Sequence, residues 1–478
     1  MATNIVGRIA EQAAFKSILS AKQSDFVAVY GRRRVGKTFL IRETFSNSFQ
    51  FQLTGLANAT MKQQLANFHA SLTKFHGNKK QLPLAKDWFD AFQQLIALIE
   101  KSKSTKKKVI FLDELPWLDT SKSNFVTALE HFWNSWASAR KDILLIVCGS
   151  AASWMLNKLI NNKGGLHNRV THKIKLEPFT LAECEAYLKV KNIKWNKHQI
   201  VENYMVMGGI PFYMSALKPG MSAAQSINEL CFTENGLLNN EFNNLYASLF
   251  KNANNHVLVV EALSKKAKGL TREEIINTAN LPNGGGVTKV LDELEASGFI
   301  RKYLPFEKNA KEALFQLIDF YTLFYFKFIK QLKGNDENYW LSIQDTPTHR
   351  VWAGYAFEQV CLAHLPQIKK ALGISGIQTK VATWRTKQAN DGAQIDLLIE
   401  RKDQIINLCE MKFSINEFII DKKYAANLRN KIGAFKQETK TKYAIHLCMI
   451  TSNGVKKNEY ATELIQNNIS LDLLFKNI

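Results

Sequence analysis

A chain of 478 residues, 46% apolar and 22% charged, is too long for one compact core and too apolar for disorder, so two to four globular domains are expected. Lys and Arg number 63 against 42 Asp and Glu, a formal +21 that favours a polyanionic partner, DNA or RNA first, although lysine-rich faces also arise for solubility alone. The opening residues hold no signal-like apolar run, no apolar window of roughly eighteen residues spans a membrane, and the 6 cysteines lack CxxC spacing, so a cytoplasmic chain without disulfides or zinc is expected.

The first legible elements lie in "DFVAVYGRRRVGKTFLIRETF", an apolar strand, a loop and a helix. Gly31, Gly36, Lys37 and Thr38 fit the GxxxxGKT pattern, with Arg32, Arg33, Arg34 and Val35 completing the loop. The glycines let backbone N–H groups converge on phosphate oxygens at the helix N-terminus. Lys37 can then reach the outer phosphates, and Thr38 offers a hydroxyl to magnesium, so ATP and Mg2+ are the expected ligands. "KSKSTKKK" reads as an exposed loop before a second strand, "KVIFLDELPWL", which ends in Asp113 and Glu114. Asp113 would hold the magnesium, and Glu114 would orient or deprotonate the attacking water. A third strand, "DILLIVCGSAASWM", ends in Gly149 and Ser150; Ser150 is either a phosphate sensor or a helix cap. Three such strand ends suit the C-terminal edge of one parallel α/β sheet, where ligands bind.

Through "GRRRVGKTFLI", "FLDELPWL" and "CGSAASWM", residues 1 to about 240 resemble the archaeal-type ATPase family, a STAND branch of the AAA+ P-loop NTPases. The resemblance implies a domain with a helical lid over residues 1–240. It also implies that Arg8 and Glu11 of "GRIAEQAAF" pack near the base, and that Arg169 before "HKIKL" is the family's arginine. Gly208, Gly209 and Pro211 of "MGGIPFYM" would close over the nucleotide. Read from chemistry alone, Arg169 stands between stabilising phosphate charge, in cis or across a subunit, and forming a surface salt bridge. Pro211 would stiffen a turn or merely join two helices.

Further along, "GLTREEIINTANLPNGGGVTKVLDELEASGFIRKYLPF" starts a helix at Thr271, capped with Glu274, then turns, forms a second helix ending at Gly298, and continues as a strand. This order resembles a winged helix, here residues 245–310. Its second helix sets Lys289 against Asp292, Glu293 and Glu295. That balance suits a structural or regulatory hinge better than a reader of the phosphate-lined groove. "ALFQLIDFYTLFYFKFI", residues 313–329 within a connecting segment at 311–345, reads as a buried helix. It resembles the Asp-aromatic segment that follows the winged helix in this family, with Asp319 in place.

The last domain, 346–478, runs through a helix "GYAFEQVCLAHL" bearing Glu358, then "QTKVATWRT", "QIDLLIERKDQIINLCEMKFS", the helix "DKKYAANLRNKIGAFKQE" and a late strand "KYAIHLCMI". Glu410 and Lys412 are two apart on a strand and face the same way. Asp396 and Glu410 would chelate a second divalent metal, Mg2+ or Mn2+, with Glu358 a third carboxylate and Lys412 beside the phosphate. The bland alternative is an exposed strand face of alternating Glu and Lys. The arrangement resembles the PD-(D/E)xK nuclease fold and the uncharacterised domain that follows this ATPase; Ile395 stands where proline is usual.

The expected fold class is therefore multidomain α/β: a P-loop NTPase (AAA+/STAND) with a parallel sheet, a winged helix, and a C-terminal restriction-endonuclease-like domain. The expected function is an ATPase that couples nucleotide state to DNA binding or metal-dependent DNA cleavage, as a homo-oligomer or with a partner protein. Its competitors are a STAND-type regulatory switch whose nuclease-like domain binds without cutting, and a transcription regulator, against which the acidic second helix argues.

Overall fold

Three apolar runs and two shorter edge segments become five parallel strands: β1 Asp25–Tyr30, β2 Phe51–Thr54, β3 Lys108–Asp113, β4 Ile143–Gly149 and β5 His172–Lys175. They lie in the order β2-β3-β4-β1-β5. β1, β3 and β4 are buried along almost their whole length, as expected of a parallel sheet covered on both faces. Aromatic side chains fill one face, with Trp88 edge-on to Phe125 at 4.8 Å and Phe92 stacked on Phe132 at 5.0 Å. Because β4 lies between β1 and β3, the ends of all three are neighbours.

The computed structural model describes residues 5–46, 48–76, 83–250, 252–308, 312–332, 334, 336–386 and 393–477, which divide into two units. Pro178 ends the main stretch of the first unit. The helices after it, Leu181–Val190, Lys197–Met207, Pro211–Ser215 and Ala223–Phe232, lie in the second unit by their packing, although the sequence groups them with the ATPase domain expected at 1–240. Their partners explain this: the Leu181 N–H donates to His364 Nε2 at 3.0 Å, and the Tyr204 ring meets Phe320 edge-on at 5.2 Å.

In the second unit, helices Asn254–Ser264, Arg272–Ala279 and Gly285–Ala296, the last of which runs on into residues of the first unit, alternate with β6 Leu270–Thr271, β7 Ile300–Tyr303 and β8 Leu314–Leu317. The strands form a small antiparallel sheet in the order β6-β8-β7. Thr271 and Glu274 make the expected capping box. β8 corrects the reading of residues 313–329 as one helix. Its four residues pair with β7 and the first two also with β6, and the helix begins only at Phe320, where the Asp319 side chain accepts from the Thr322 N–H at 3.0 Å.

A second five-stranded sheet follows, built of β9 Thr379–Arg385, β10 Gln394–Arg401, β11 Ile405–Lys412, β12 Ala444–Thr451 and β13 Asn467–Ser470. β9, β10 and β11 run antiparallel as a meander, whereas β12 and β13 lie parallel to β11. Helix Pro347–Ala363 precedes the meander, and helix Lys422–Thr439 carries the chain from β11 over to β12. All six cysteines are buried thiols, outside any disulfide. Among the described residues, no helix is long and apolar enough to cross a membrane.

Candidate nucleotide site and carboxylate strands

The loop after β1 enters helix Lys37–Thr44 through Gly36, whose φ of 90° would strain any residue with a Cβ. Lys37, only 5% exposed, donates from Nζ to the carbonyls of Gly31 at 3.1 Å and Arg32 at 2.9 Å. Burial lowers its pKa, while Cys148, Glu114 and Asp113 pull it upward and Arg33 adds to the lowering. Arg8 Nη2 donates to the Val35 carbonyl at 3.2 Å, and Arg8 pairs with Glu11 at 4.0 Å. The Arg–Glu element therefore anchors the phosphate loop from beneath. Arg32 is buried, and Arg33 and Arg34 are half-buried, along the same loop.

Thr38 Oγ1 donates to both oxygens of Asp113, at 3.1 and 3.0 Å. Residues 75 apart in sequence thus meet at the edge where β1 and β3 end. Asp113 also accepts from the Glu114 N–H at 3.0 Å and from Cys148 Sγ at 2.7 Å. Burial first, and Asp113 next, hold the Cys148 thiol far above its usual pKa, so it remains a donor. A hydroxyl and a buried carboxylate in contact, beside a lysine, fit magnesium, a hard cation that takes oxygen ligands.

Glu114 adopts φ 48° and ψ 51°, a left-handed conformation that costs a non-glycine residue about 1–3 kcal/mol. Its carboxylate accepts from Ser150 twice, from the backbone N–H at 3.0 Å and from Oγ at 2.6 Å. Gly149 makes this approach possible, because a Cβ there would lie 2.6 Å from Pro116 Cδ. Ser150 is therefore not the helix cap, a place taken by Ala151, and its hydroxyl points to Glu114. That pairing was missed from sequence; its only signal was the Gly-Ser at the end of an apolar strand.

Arg169 is exposed, and no ion pair to it forms among the described residues. It shares a groove with Lys22, Ser24, Arg140 and Thr171, residues that precede β1, β4 and β5, whereas the phosphate loop leaves the opposite end of β1. A strand of 6 residues separates these ends, about 20 Å, so the reading in cis and the salt-bridge reading both fall. Pro211 belongs to the second unit, where it is the first residue of helix Pro211–Ser215 after the left-handed Gly208 and Gly209.

On the second sheet, a bulge between Ile395 and Leu398 breaks the β9–β10 register at Asp396; bulges of this kind re-aim a side chain. Leu397 pairs with Cys409, and continuing that register sets Asp396 opposite Glu410. Glu358 is pushed up to about 8, by burial first and by Asp396 next, with Glu410 adding to the rise and Lys412 and Lys268 opposing it. The four expected residues thus share one neighbourhood. They do not make the expected three-carboxylate metal centre, since among the described residues no group of three or more His, Cys, Asp or Glu can hold a metal ion. Glu410 instead accepts from Lys431 and, at 3.1 Å, from the Tyr424 hydroxyl, and lies 3.9 Å from Lys412. Sequence reasoning missed Tyr424 and Lys431, although they stand seven apart, two turns along one helix face.

With this geometry described, three comparisons bear on it. Residues 6–217 match a family model described as an ATPase domain predominantly from Archaea. An uncharacterized protein of Methanocaldococcus jannaschii is 23% identical over 396 residues, 82% of this chain and 83% of the relative. A Walker-type ATPase of Pyrococcus abyssi, 15% identical, superposes with a TM-score of 0.50 over 68% of this chain and 96% of its own, a likeness of fold. Family match and phosphate-loop geometry agree: the chain carries an archaeal-type P-loop ATPase domain and is an ATPase.

Proposed function

We propose that the nucleotide cycle of this ATPase governs how its second unit holds DNA. The observation that carries the catalytic half is the contact between Thr38 and Asp113 beside Lys37 and Glu114. In this reading the backbone from Gly31 through Arg32, Arg33, Arg34, Val35 and Gly36 cradles the phosphates, and Lys37 exchanges loop carbonyls for the outer phosphate oxygens. Thr38 and Asp113 hold magnesium, which when bound neutralises charge on the phosphate oxygens. Glu114 takes up or orients the proton of the attacking water, and Ser150 keeps its carboxylate aimed. Arg169, exposed at the far sheet edge, is open to a neighbouring copy of the chain.

For the second unit, the order helix, β6, two helices, β7, β8 supports a winged helix, and helix, β9, β10, β11, helix, β12 supports a PD-(D/E)xK nuclease-like domain. The +21 charge supports a polyanion as partner. Because Lys431 and Tyr424 already engage Glu410, we favour binding without cutting, the behaviour of a STAND-type switch, and assign no cleavage step. Metal-dependent cleavage is the second reading, favoured by Asp396 facing Glu410, two like charges that a divalent cation would reconcile.

ATP turnover with and without single-stranded and duplex DNA tests the proposal, with Lys37→Ala as the inactive control. DNA should change the turnover of the wild-type chain, and Lys37→Ala should turn nothing over while keeping its fold. Turnover indifferent to both DNA forms defeats the coupling. Nicking of supercoiled DNA in manganese that disappears in Asp396→Asn would establish the second reading over the first.

A further inference from the structure

Beside Asp396 and Glu358 the second unit encloses a cavity of about 610 Å³, inside the range of about 300–1,000 Å³ that small ligands occupy. Its walls carry two kinds of chemistry besides the carboxylates. Lys268 and Arg385, both exposed, bring positive charge. The Lys268 ammonium is within electrostatic reach of Asp396, Glu358 and Arg385, and its carbonyl accepts from the Tyr303 hydroxyl, which fixes the turn that carries it. Tyr355 brings an open aromatic face. It is 48% exposed and stands one helical turn before Glu358 on helix Pro347–Ala363, so ring and carboxylate share one side of that helix.

We propose that this cavity holds one unpaired nucleotide of a DNA strand, its base stacked on Tyr355 and its phosphate between Lys268 and Arg385. The inference deepens the DNA reading given above and rests on it. Duplex DNA hides the faces of its bases within its own stack and presents only their edges in the grooves. A ring lining a cavity can therefore meet a base face only where the strand is single. Stacking accepts every base and an ammonium accepts every phosphate, so the site tolerates any sequence. Asp396 alone would repel the strand, and the two cations offset it.

Fluorescence anisotropy of the full chain with a labelled single-stranded oligonucleotide, and with its duplex, tests this in the absence of ATP and divalent metal. Tyr355→Ala should weaken single-strand binding by roughly tenfold and leave duplex affinity within about twofold, while Tyr355→Phe restores the wild-type value. Lys268→Gln should weaken the single strand as well. Tyr355 is half open, so its replacement leaves the melting temperature in place, a check on folding in each variant. Wild-type single-strand affinity in Tyr355→Ala, or an equal loss for duplex, overturns the pocket and spares the DNA reading. A wild-type chain that binds neither form overturns both.

Discussion

At the scale of residues, the nucleotide site divides into what lies close in sequence and what the sheet brings together. Gly31 to Thr38 are consecutive, and their chemistry follows from the motif. Asp113 could be paired with Thr38 because an acid at the end of a buried strand has few other uses. The Ser150 clamp on Glu114 was hidden, since 36 residues and the order of the strands lie between the two. It carries a prediction. Glu114→Gln should bind ATP with near wild-type affinity and turn it over at least roughly a hundredfold more slowly, because an amide keeps the shape and cannot take a proton. Ser150→Ala should lose roughly tenfold, the effect of one hydrogen bond to a charged group, with ATP affinity unchanged. Single-turnover rates with calorimetric ATP titration separate the two quantities. Wild-type turnover in Ser150→Ala would make its bond to Glu114 incidental. The C-terminal site was half legible for the same reason. A two-residue period put Glu410 and Lys412 on one face, whereas Lys431 reaches Glu410 from a helix whose own pattern names no partner.

At the scale of elements, buried contacts made far along the chain decide what the local pattern leaves open. "ALFQLI" is a short run broken only by Gln316, and such a run fits a short central strand as well as a helix. The gap between β6 and β7 and the Asp319 cap settle it. The helices after Pro178 pack within the second unit because their partners lie beyond residue 300, His364 above all. Its Nε2 accepts from the Leu181 N–H at 3.0 Å, which requires that nitrogen bare, and Nδ1 faces the Val360 carbonyl at 2.8 Å and carries the proton. Burial lowers this imidazole from 6.5 to about 4, opposed only by the Val360 bond. The unfolded chain therefore binds more protons between these values, so the contribution is complete above about pH 6.5 and is lost as pH falls toward 4. The difference amounts to about 3 kcal/mol at most. Melting temperatures of wild type and His364→Gln, compared from pH 8 downward, should converge as acid is added, and the comparison cancels every other titrating group. Parallel profiles would remove His364 from its place as the pin between the two helices.

At the scale of the whole molecule, the proposed coupling of nucleotide to DNA makes two demands. The charge alone makes a first demand. Each phosphate neutralised by a lysine or arginine releases condensed counterions, so affinity for random-sequence DNA should fall by about a thousandfold or more between 50 and 200 mM salt if about six phosphates are met. Affinity flat in salt would mean that the excess of lysine is only a solvated surface. The second demand is stricter. If ATP changes the affinity for DNA by some factor, linkage requires that DNA change the affinity for ATP by the same factor. Glu114→Gln, which should hold ATP without consuming it, is the variant in which both can be measured at equilibrium. DNA affinity is determined with and without saturating ATP, and ATP affinity with and without saturating DNA. A coupling of about 1–3 kcal/mol, common for communicating sites, would appear as a ratio of roughly 5- to 150-fold in both. Two ratios that differ would indicate that the variant still turns over or that its oligomeric state shifts with ligand. Two ratios of one would mean that the ATPase domain and the DNA-holding unit act independently, and the proposed coupling would fall even if each half retained its own activity.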